Sequence, residues 1–219
     1  MTFQTAQTAI IESIRFDSRY LRFKRILDIT FTLLISPLIL LLGIIIALCI
    51  KLDSRGSVFF RQTRIGMRGV EFTMLKFRSM DVNCDEGVHR RRIEAMMSNG
   101  QTLNKEKNDP RTTRVGRFIR RTSLDELPQF WNVLKGEMTL VGPRPPLKYE
   151  VALYNKRDWL RLSGRPGLTG LWQVYGRSAV THTNMVDMDI VYLKEQSLLK
   201  DIKLIILTIP VMIFAKGAA

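Results

Sequence analysis

Asp125 and Glu126 are adjacent carboxylates in the run Thr122-Ser123-Leu124-Asp125-Glu126-Leu127-Pro128, preceded by Arg111, Arg114, Arg117, Arg120 and Arg121 and followed by Arg144. Neighbouring residues on a helix point about 100° apart, so the pair cannot face each other across a glycosidic bond. The two can divide labour instead. One carboxylate can attack phosphorus as a covalent nucleophile, while its neighbour or the same group holds Mg²⁺ against a diphosphate. The ion would reduce repulsion between an anionic nucleophile and an anionic substrate. Arg120 and Arg144 could each bind phosphoryl oxygens through charge-assisted hydrogen bonds worth about 1.5–3 kcal/mol. Lys76, in Leu75-Lys76-Phe77-Arg78-Ser79-Met80, is a third candidate phosphate contact. The same dyad can also do no more than complement the positive end of its helix, so residue types alone leave both roles open.

Several elements must position these groups. Ser123 is placed to cap a helix, with Glu126 completing a capping box and Pro128 near the first turn. Leu124, Leu127, Phe130, Trp131 and Leu134 recur at helical spacing and predict one apolar face, ended by Lys135-Gly136. Met138 to Val141 is a short apolar run, and Gly142-Pro143-Arg144-Pro145-Pro146 predicts an extended turn that presents Arg144 rigidly. Ahead of the dyad, arginines spaced by three lie along one drifting helical stripe. Ser57 to Gln62 and Glu71 to Met80 are rich in aromatic and β-branched residues and flank Gly66 and Gly69, the pattern of a short hairpin. The polar stretch 81–108, whose larger apolar residues are Ile93, Met96, Met97 and Leu103, predicts a mobile loop with one helix, where a lid could sit. Further on, Leu147 to Leu162 and Asp187 to Lys194 read as helices. Gly164 to Gly176 reads as a glycine-rich loop or short strand able to approach a ligand, or as a structural turn around a buried Trp172. Leu204 to Ala215 is too short to cross a bilayer and suits its interface.

A chain of 219 residues holds one ordinary globular domain plus a membrane element. Its formal charge of +14 and isoelectric point near 10.2 attract polyanions: nucleic acid, an anionic membrane surface or a phosphorylated small molecule. The two cysteines, Cys49 and Cys84, exclude a disulfide framework and fit a reducing compartment. His89 and His182 lack ligand-like companions, which argues against zinc and suggests ordinary surface or loop residues. Basic and aromatic residues are not interleaved as in a nucleic-acid-binding surface, so no nucleic-acid partner is expected.

From Ile29 to Ile50 run 22 residues without a charge, the length of a transmembrane helix. Two details favour a hairpin that enters and leaves one leaflet. Ser36-Pro37 lies near the middle, where proline removes a backbone donor and predicts a break. The resulting limbs, about 16 Å and about 21 Å at 1.5 Å per residue, are each shorter than a hydrocarbon core of about 30 Å. Both flanks are basic, with Arg15, Arg19, Arg22, Lys24 and Arg25 before the segment and Lys51, Arg55, Arg61, Arg64 and Arg68 after it, so both prefer the cytoplasmic side. Asp28 is expected near the headgroups, in a surface ion pair with Lys24 or Arg25.

Lys24-Arg25 with Asp28, Ser36-Pro37, VFFRQTRIG (58–66), LKFRSM (75–80), RRTSLDELPQFWNVLKGEMTLVGPRP (120–145) and RPGLTGLWQVYGR (165–177) together resemble the bacterial sugar transferases. These are monotopic polyprenyl-phosphate hexose-1-phosphate transferases, or phosphoglycosyl transferases. The resemblance covers about residues 22 to 210, and its 120–145 block is the most specific part. It implies a ping-pong reaction in which Asp125 attacks the sugar-bearing phosphate of a UDP-sugar, UMP leaves, and undecaprenyl phosphate takes the phosphosugar from the aspartyl intermediate. It implies that Glu126 supports Mg²⁺ or proton transfer, with Asp125 and Glu126 as the metal-holding pair, and that Arg144 and Arg120 bind phosphate. It also implies that Ser36-Pro37 breaks a re-entrant helix at the bacterial inner membrane. The stretch from Asp28 to Ser36 is about one turn shorter than the family pattern, and the additional membrane domain of longer members is not seen.

The resulting expectation is an α+β chain, mostly helical. It comprises an N-terminal extension (1–21), a re-entrant helix-break-helix (22–52) and a small, cytoplasmic, membrane-associated catalytic domain (53–219) with amphipathic interfacial helices and a short β-hairpin. The amphipathic surface also leaves room for a homodimer. The alternative is a non-catalytic, membrane-tethered protein that binds polyanionic lipid or nucleic acid. No residue derives which sugar is used, although galactose and glucose are common among small members of the family.

Overall fold

The computed structural model of the chain describes residues 3–81, 87–99, 109–176 and 180–213. It is mostly helical with two small sheets. A short helix α1 (Phe3–Ile11) precedes the long apolar helix α2 (Ser18–Asp53), whose N-terminus is capped by Asp17 accepting from the Arg19 amide. Strands β1 (Phe59–Ile65) and β2 (Glu71–Phe77) form the expected antiparallel hairpin, turning through Gly66–Val70. Helix α3 (Gly87–Asn99) lies within the stretch 81–108; residues 82–86 and 100–108, Cys84 and Leu103 among them, lie outside the described residues, as does the part of the expected lid that falls on them. Helix α4 (Arg114–Arg121) leads through a 3₁₀ turn at Leu124–Glu126 into α5 (Gln129–Lys135), and Gly136 ends α5 at φ 83°. Strand β3 (Thr139–Val141) then pairs in parallel with β4 (Gly167–Thr169), the connection carrying α6 (Lys148–Val151) and a 3₁₀ segment at Asp158–Ser163. Helices α7 (Leu171–Tyr175), α8 (His182–Lys194) and α9 (Leu198–Ile213) complete the order.

Helix α2 is the spine of the molecule, and its 36 residues pass through Pro37 without leaving helical geometry. The expected separation into two limbs is therefore not observed. Pro37 cannot donate to the Leu33 carbonyl one turn earlier, but Ser36 Oγ donates to that same carbonyl at 2.8 Å. A side-chain hydroxyl thus satisfies the acceptor that proline orphans, which lets the helix continue.

Both ends of α2 pack on the rest of the protein. Near its start, Lys24, Asp28 and Thr32 are buried one turn apart. Asp28, expected at the surface, is 2% exposed. It accepts from Thr139 Oγ1 at 2.7 Å and from the Leu140 amide at 3.0 Å, so the fold uses it to hold β3. Lys24 instead pairs with Asp201 of α9 at 2.8 Å and donates to Tyr192 Oη at 3.1 Å. Arg25 donates to the Val133 and Leu134 carbonyls at 2.6 and 2.7 Å, capping the C-terminus of α5. Near the other end of α2, Ile46 and Ile50 join Phe77 and Ile119 in a separate apolar cluster, and Arg78 donates to the Ser54 carbonyl at 2.9 Å. The face between carries exposed Leu34, Leu38, Leu41, Ile45 and Leu48.

The main core joins Phe72 and Met74 of the hairpin to Val133, Met138, Leu140, Val141, Tyr192, Leu193 and Leu204. Asn132 locks α5 to β2, accepting from the Leu75 amide at 3.1 Å and donating to the Thr73 carbonyl at 2.7 Å. Leu147 to Leu162 does not form one helix. Asn155 Oδ1 accepts from the amides of Arg157 and Asp158 while Asp158 Oδ2 accepts from the Asn155 amide, and this reciprocal turn ends the helical run. His182 is buried at the start of α8, 3.4 Å from Asp158, rather than lying on the surface. Helix α9 buries Asp201 and Leu204 and exposes the apolar Leu199, Ile206 and Ile209; Ala215 lies outside the described residues.

Candidate active site

Ser123 does not cap a helix. It adopts φ 57°, a left-handed conformation that reverses the chain after α4, and makes no side-chain capping bond. A non-glycine residue there stores strain that the surrounding packing must hold. The packing comes from Leu124 and Leu127, which sit three apart in the 3₁₀ turn and therefore share a face. Both lie against the cluster of Ile46, Ile50, Phe77 and Ile119. This anchoring points the intervening Asp125 and Glu126 away from the apolar cluster, so the capping box gives way to a clamped turn. Helix α5 starts only after Pro128. Its buried positions are Gln129, Asn132 and Val133, whereas Trp131, expected on the apolar face, is 54% exposed.

Glu126 faces an open cleft with Lys76, and the two pair at 2.8 Å. Four further cationic or polar side chains reach this cleft. Arg64 of β1 enters because its register with Phe72 puts it on the same hairpin face as Lys76, which lies opposite Phe60. Arg144 enters from the loop after β3, followed by Pro145. Gln129 of α5 and Gln173 of α7 complete the polar lining, beside Gly167 and Leu168 of β4.

The Arg144 loop is held close to β4 by backbone contact. Gly142 donates to the Thr169 carbonyl and Gly167 donates to the Pro143 carbonyl, each at 2.8 Å. A Cβ added at Gly167 would collide with the Gly142 amide nitrogen, so the glycine permits this approach. Arg64 supports the loop from the other side, donating from Nη1 to the Pro145 carbonyl at 2.9 Å and from Nη2 to Gln62 Oε1 at 2.6 Å. Burial and the neighbouring Arg144 charge lower the Arg64 pKa to about 10, which leaves the guanidinium charged at neutral pH. Two like charges beside one cleft favour an anion between them.

Of the residues singled out from sequence, Lys76, Glu126 and Arg144 meet at the cleft. Asp125 is buried at 9% exposure, adjacent to Glu126 but not itself part of the cleft lining. Arg120 does not reach the lining; its Nη1 donates to Thr112 Oγ1 at 3.4 Å, near the Asp109–Arg111 pair. Arg64, Gln129 and Gln173 were not foreseen. Period-two alternation in β1 is the sequence signal that could have placed Arg64 opposite Phe72 and beside Lys76; nothing local marks the two glutamines. Among the described residues no group of three or more His, Cys, Asp or Glu side chains forms. The chain can therefore offer Mg²⁺ Asp125 and Glu126, a set that fits an ion usually bound by one or two carboxylates plus water and substrate phosphate.

Residues 19–215 match the sequence profile described as bacterial sugar transferase. Galactosyl transferase CpsE of Streptococcus agalactiae is 42% identical over 196 residues, covering 89% of this chain and 43% of CpsE. Exopolysaccharide production protein ExoY of Rhizobium meliloti is 42% identical over 188 residues, covering 85% of this chain and 81% of ExoY. The UDP-glucose:undecaprenyl-phosphate glucose-1-phosphate transferase of Caulobacter vibrioides is 38% identical over 203 residues, covering 89% of this chain and 71% of that protein.

Proposed function

The chain belongs to the bacterial sugar transferase family, and from that membership we propose that it is a phosphoglycosyl transferase moving a hexose 1-phosphate from a UDP-sugar to undecaprenyl phosphate. The reaction would initiate repeat-unit assembly for an exopolysaccharide, capsule or O-antigen. Relatives named for galactose and for glucose support either hexose. The observation that carries the reading is the convergence of Glu126 with Lys76, Arg64 and Arg144 on one cleft, immediately beside the buried carboxylate of Asp125.

In the first step an Asp125 carboxylate oxygen attacks the sugar-bearing phosphorus. The bond from that phosphorus to the bridging oxygen breaks, and UMP departs with the electron pair, leaving an acyl phosphate. In the second step an oxygen of undecaprenyl phosphate attacks the same phosphorus, and its bond to Asp125 breaks. The products are a lipid-linked diphosphate sugar and a regenerated carboxylate. Arg64, Arg144 and Lys76 hold phosphoryl oxygens and stabilise charge as the phosphorus changes partners. Glu126, fixed by Lys76, assists Mg²⁺ binding or proton transfer. Mg²⁺ held by Asp125 and Glu126 would supply charge neutralisation on the diphosphate.

The lipid acceptor places this chemistry at a membrane. Helix α2 is long and apolar enough to cross one. Yet its residues 24–32 and its residues 46–50 pack on the same protein body, which supports a location of both flanks on one side. The basic flanks select the cytoplasmic side of the inner membrane for both ends of α2, whose exposed apolar face would lie in the facing leaflet.

Purified protein with Mg²⁺, undecaprenyl phosphate and either UDP-galactose or UDP-glucose should release UMP. Chelation should stop turnover and added Mg²⁺ restore it. Asp125→Asn should abolish release, and wild-type protein incubated with UDP-sugar alone should gain the mass of one hexose phosphate. Full activity in Asp125→Asn would overturn the nucleophile assignment.

A further inference from the structure

Two side-chain amides in the cleft have atoms that the fold leaves unpaired. Gln129 is 3% exposed, and its Nε2 has no hydrogen-bond partner; Gln173 is half-buried, and its Oε1, itself shielded from solvent, is also unpartnered. Both residues line the cleft shared by Glu126, Lys76, Arg64 and Arg144. The Gln173 amide is oriented by its other end, since Nε2 donates to the Leu168 carbonyl at 3.1 Å and Oε1 is left as a free acceptor. Gly170 makes room for that oxygen, because a Cβ there would stand 2.6 Å from it. Buried polar atoms are normally paired, so two orphans in one cleft indicate where ligand atoms complete the site.

The two atoms ask for opposite chemistry. Phosphoryl oxygens only accept at neutral pH, and the arginines, Lys76 and Gln129 Nε2 can all donate to them. Gln173 Oε1 only accepts, so phosphate offers it nothing and it needs an O–H or N–H group. Accepting the proposed UDP-hexose substrate, the available donors are the uracil N–H, the ribose hydroxyls and the hexose hydroxyls. The reacting phosphorus must lie beside the dyad. The hexose is joined to that phosphorus through a single oxygen, whereas ribose and base lie beyond the second phosphate. We infer that Gln173 Oε1 accepts a hydrogen bond from a hexose hydroxyl, while Gln129 Nε2 donates to a phosphoryl oxygen of the diphosphate. Gln173 is thus a sugar-binding residue, separate from the cationic groups that bind phosphate.

The test uses the full chain in detergent micelles, in an Asp125→Asn background so that ligand is not consumed. Calorimetric titrations at fixed Mg²⁺ compare UDP, UDP-glucose and UDP-galactose. Gln173→Met should weaken at least one UDP-hexose by about tenfold, the scale of one lost neutral hydrogen bond, and leave UDP affinity unchanged. Retained UDP binding also certifies that the variant is folded. Gln129→Met should weaken UDP and UDP-hexose alike. The inference is overturned if Gln173→Met leaves both UDP-hexoses unaffected, if it weakens UDP by the same factor, or if the parent binds neither UDP-hexose. UMP release by the wild-type chain is scored separately. Gln173-dependent hexose binding without UMP release would sink the transfer reaction and keep the sugar contact, and UMP release with an indifferent Gln173 would do the reverse.

Discussion

Arg144 and Arg64 show how two identical side chains serve different ends. Arg144 is half-buried at the cleft, whereas Arg64 is almost fully buried and bonded to the Pro145 carbonyl, so it both contributes charge and holds the loop. Arg144→Ala should therefore lower kcat/KM by roughly ten- to a hundredfold, the worth of one charge-assisted contact, with the unfolding temperature nearly unchanged. Steady-state UMP release and thermal unfolding measured on the same preparation check both halves of that expectation. Arg120 illustrates a limit of reading by proximity in sequence. It stands five residues before the dyad, but α4 and the left-handed Ser123 turn carry it away from the cleft lining, towards Thr112.

At the scale of elements, the registration of α2 on β3 and α8 decides where the Arg144 loop lies. Asp28 holds Thr139 and Leu140 of β3, and Tyr192 Oη donates to the Val141 carbonyl at 2.9 Å, immediately before the glycine-proline turn. Replacing Asp28 with Ala would leave a buried hydroxyl and a buried amide without acceptors, destabilising the fold by about 3 kcal/mol; Asp28→Asn, keeping one acceptor oxygen, should cost about half. Chemical denaturation in detergent, followed by tryptophan fluorescence, measures this. The hairpin, α5's end at Gly136 and the extended turn around Arg144 were legible because they follow local rules of alternation, φ preference and proline geometry. The continuation of α2 through Ser36-Pro37, the clamped turn at Ser123 and the interruption between Leu147 and Leu162 were not. In each, a side chain engages a partner that local propensity does not weigh: the Ser36 hydroxyl, the apolar contacts of Leu124 and Leu127, and the reciprocal Asn155–Asp158 turn.

For the whole molecule, one body grips α2 near both ends while the helix exposes an apolar face between them, an arrangement suited to a bilayer approached from one side. Cysteines introduced singly at Arg22 and Arg55, with Cys49 and Cys84 replaced, should both react with an impermeant thiol reagent only from the cytoplasmic side; labelling of one from each side would refute the placement of both flanks on one side. The sequence by itself carried the family membership and, through it, the reaction expected of the dyad. The acidic dyad, the Gly-Pro-Arg-Pro turn and the uncharged segment between basic flanks are contiguous patterns, and their covalent spacing restricts what each can do. The tertiary structure decided which cations meet Glu126, that Asp28 is a buried strut, and that two glutamines line the same cleft. Residues 64, 76, 126, 144 and 173 converge only through strand register, close glycine contacts and helix packing, and these long-range choices are fixed by burial of the shared core rather than by any local preference.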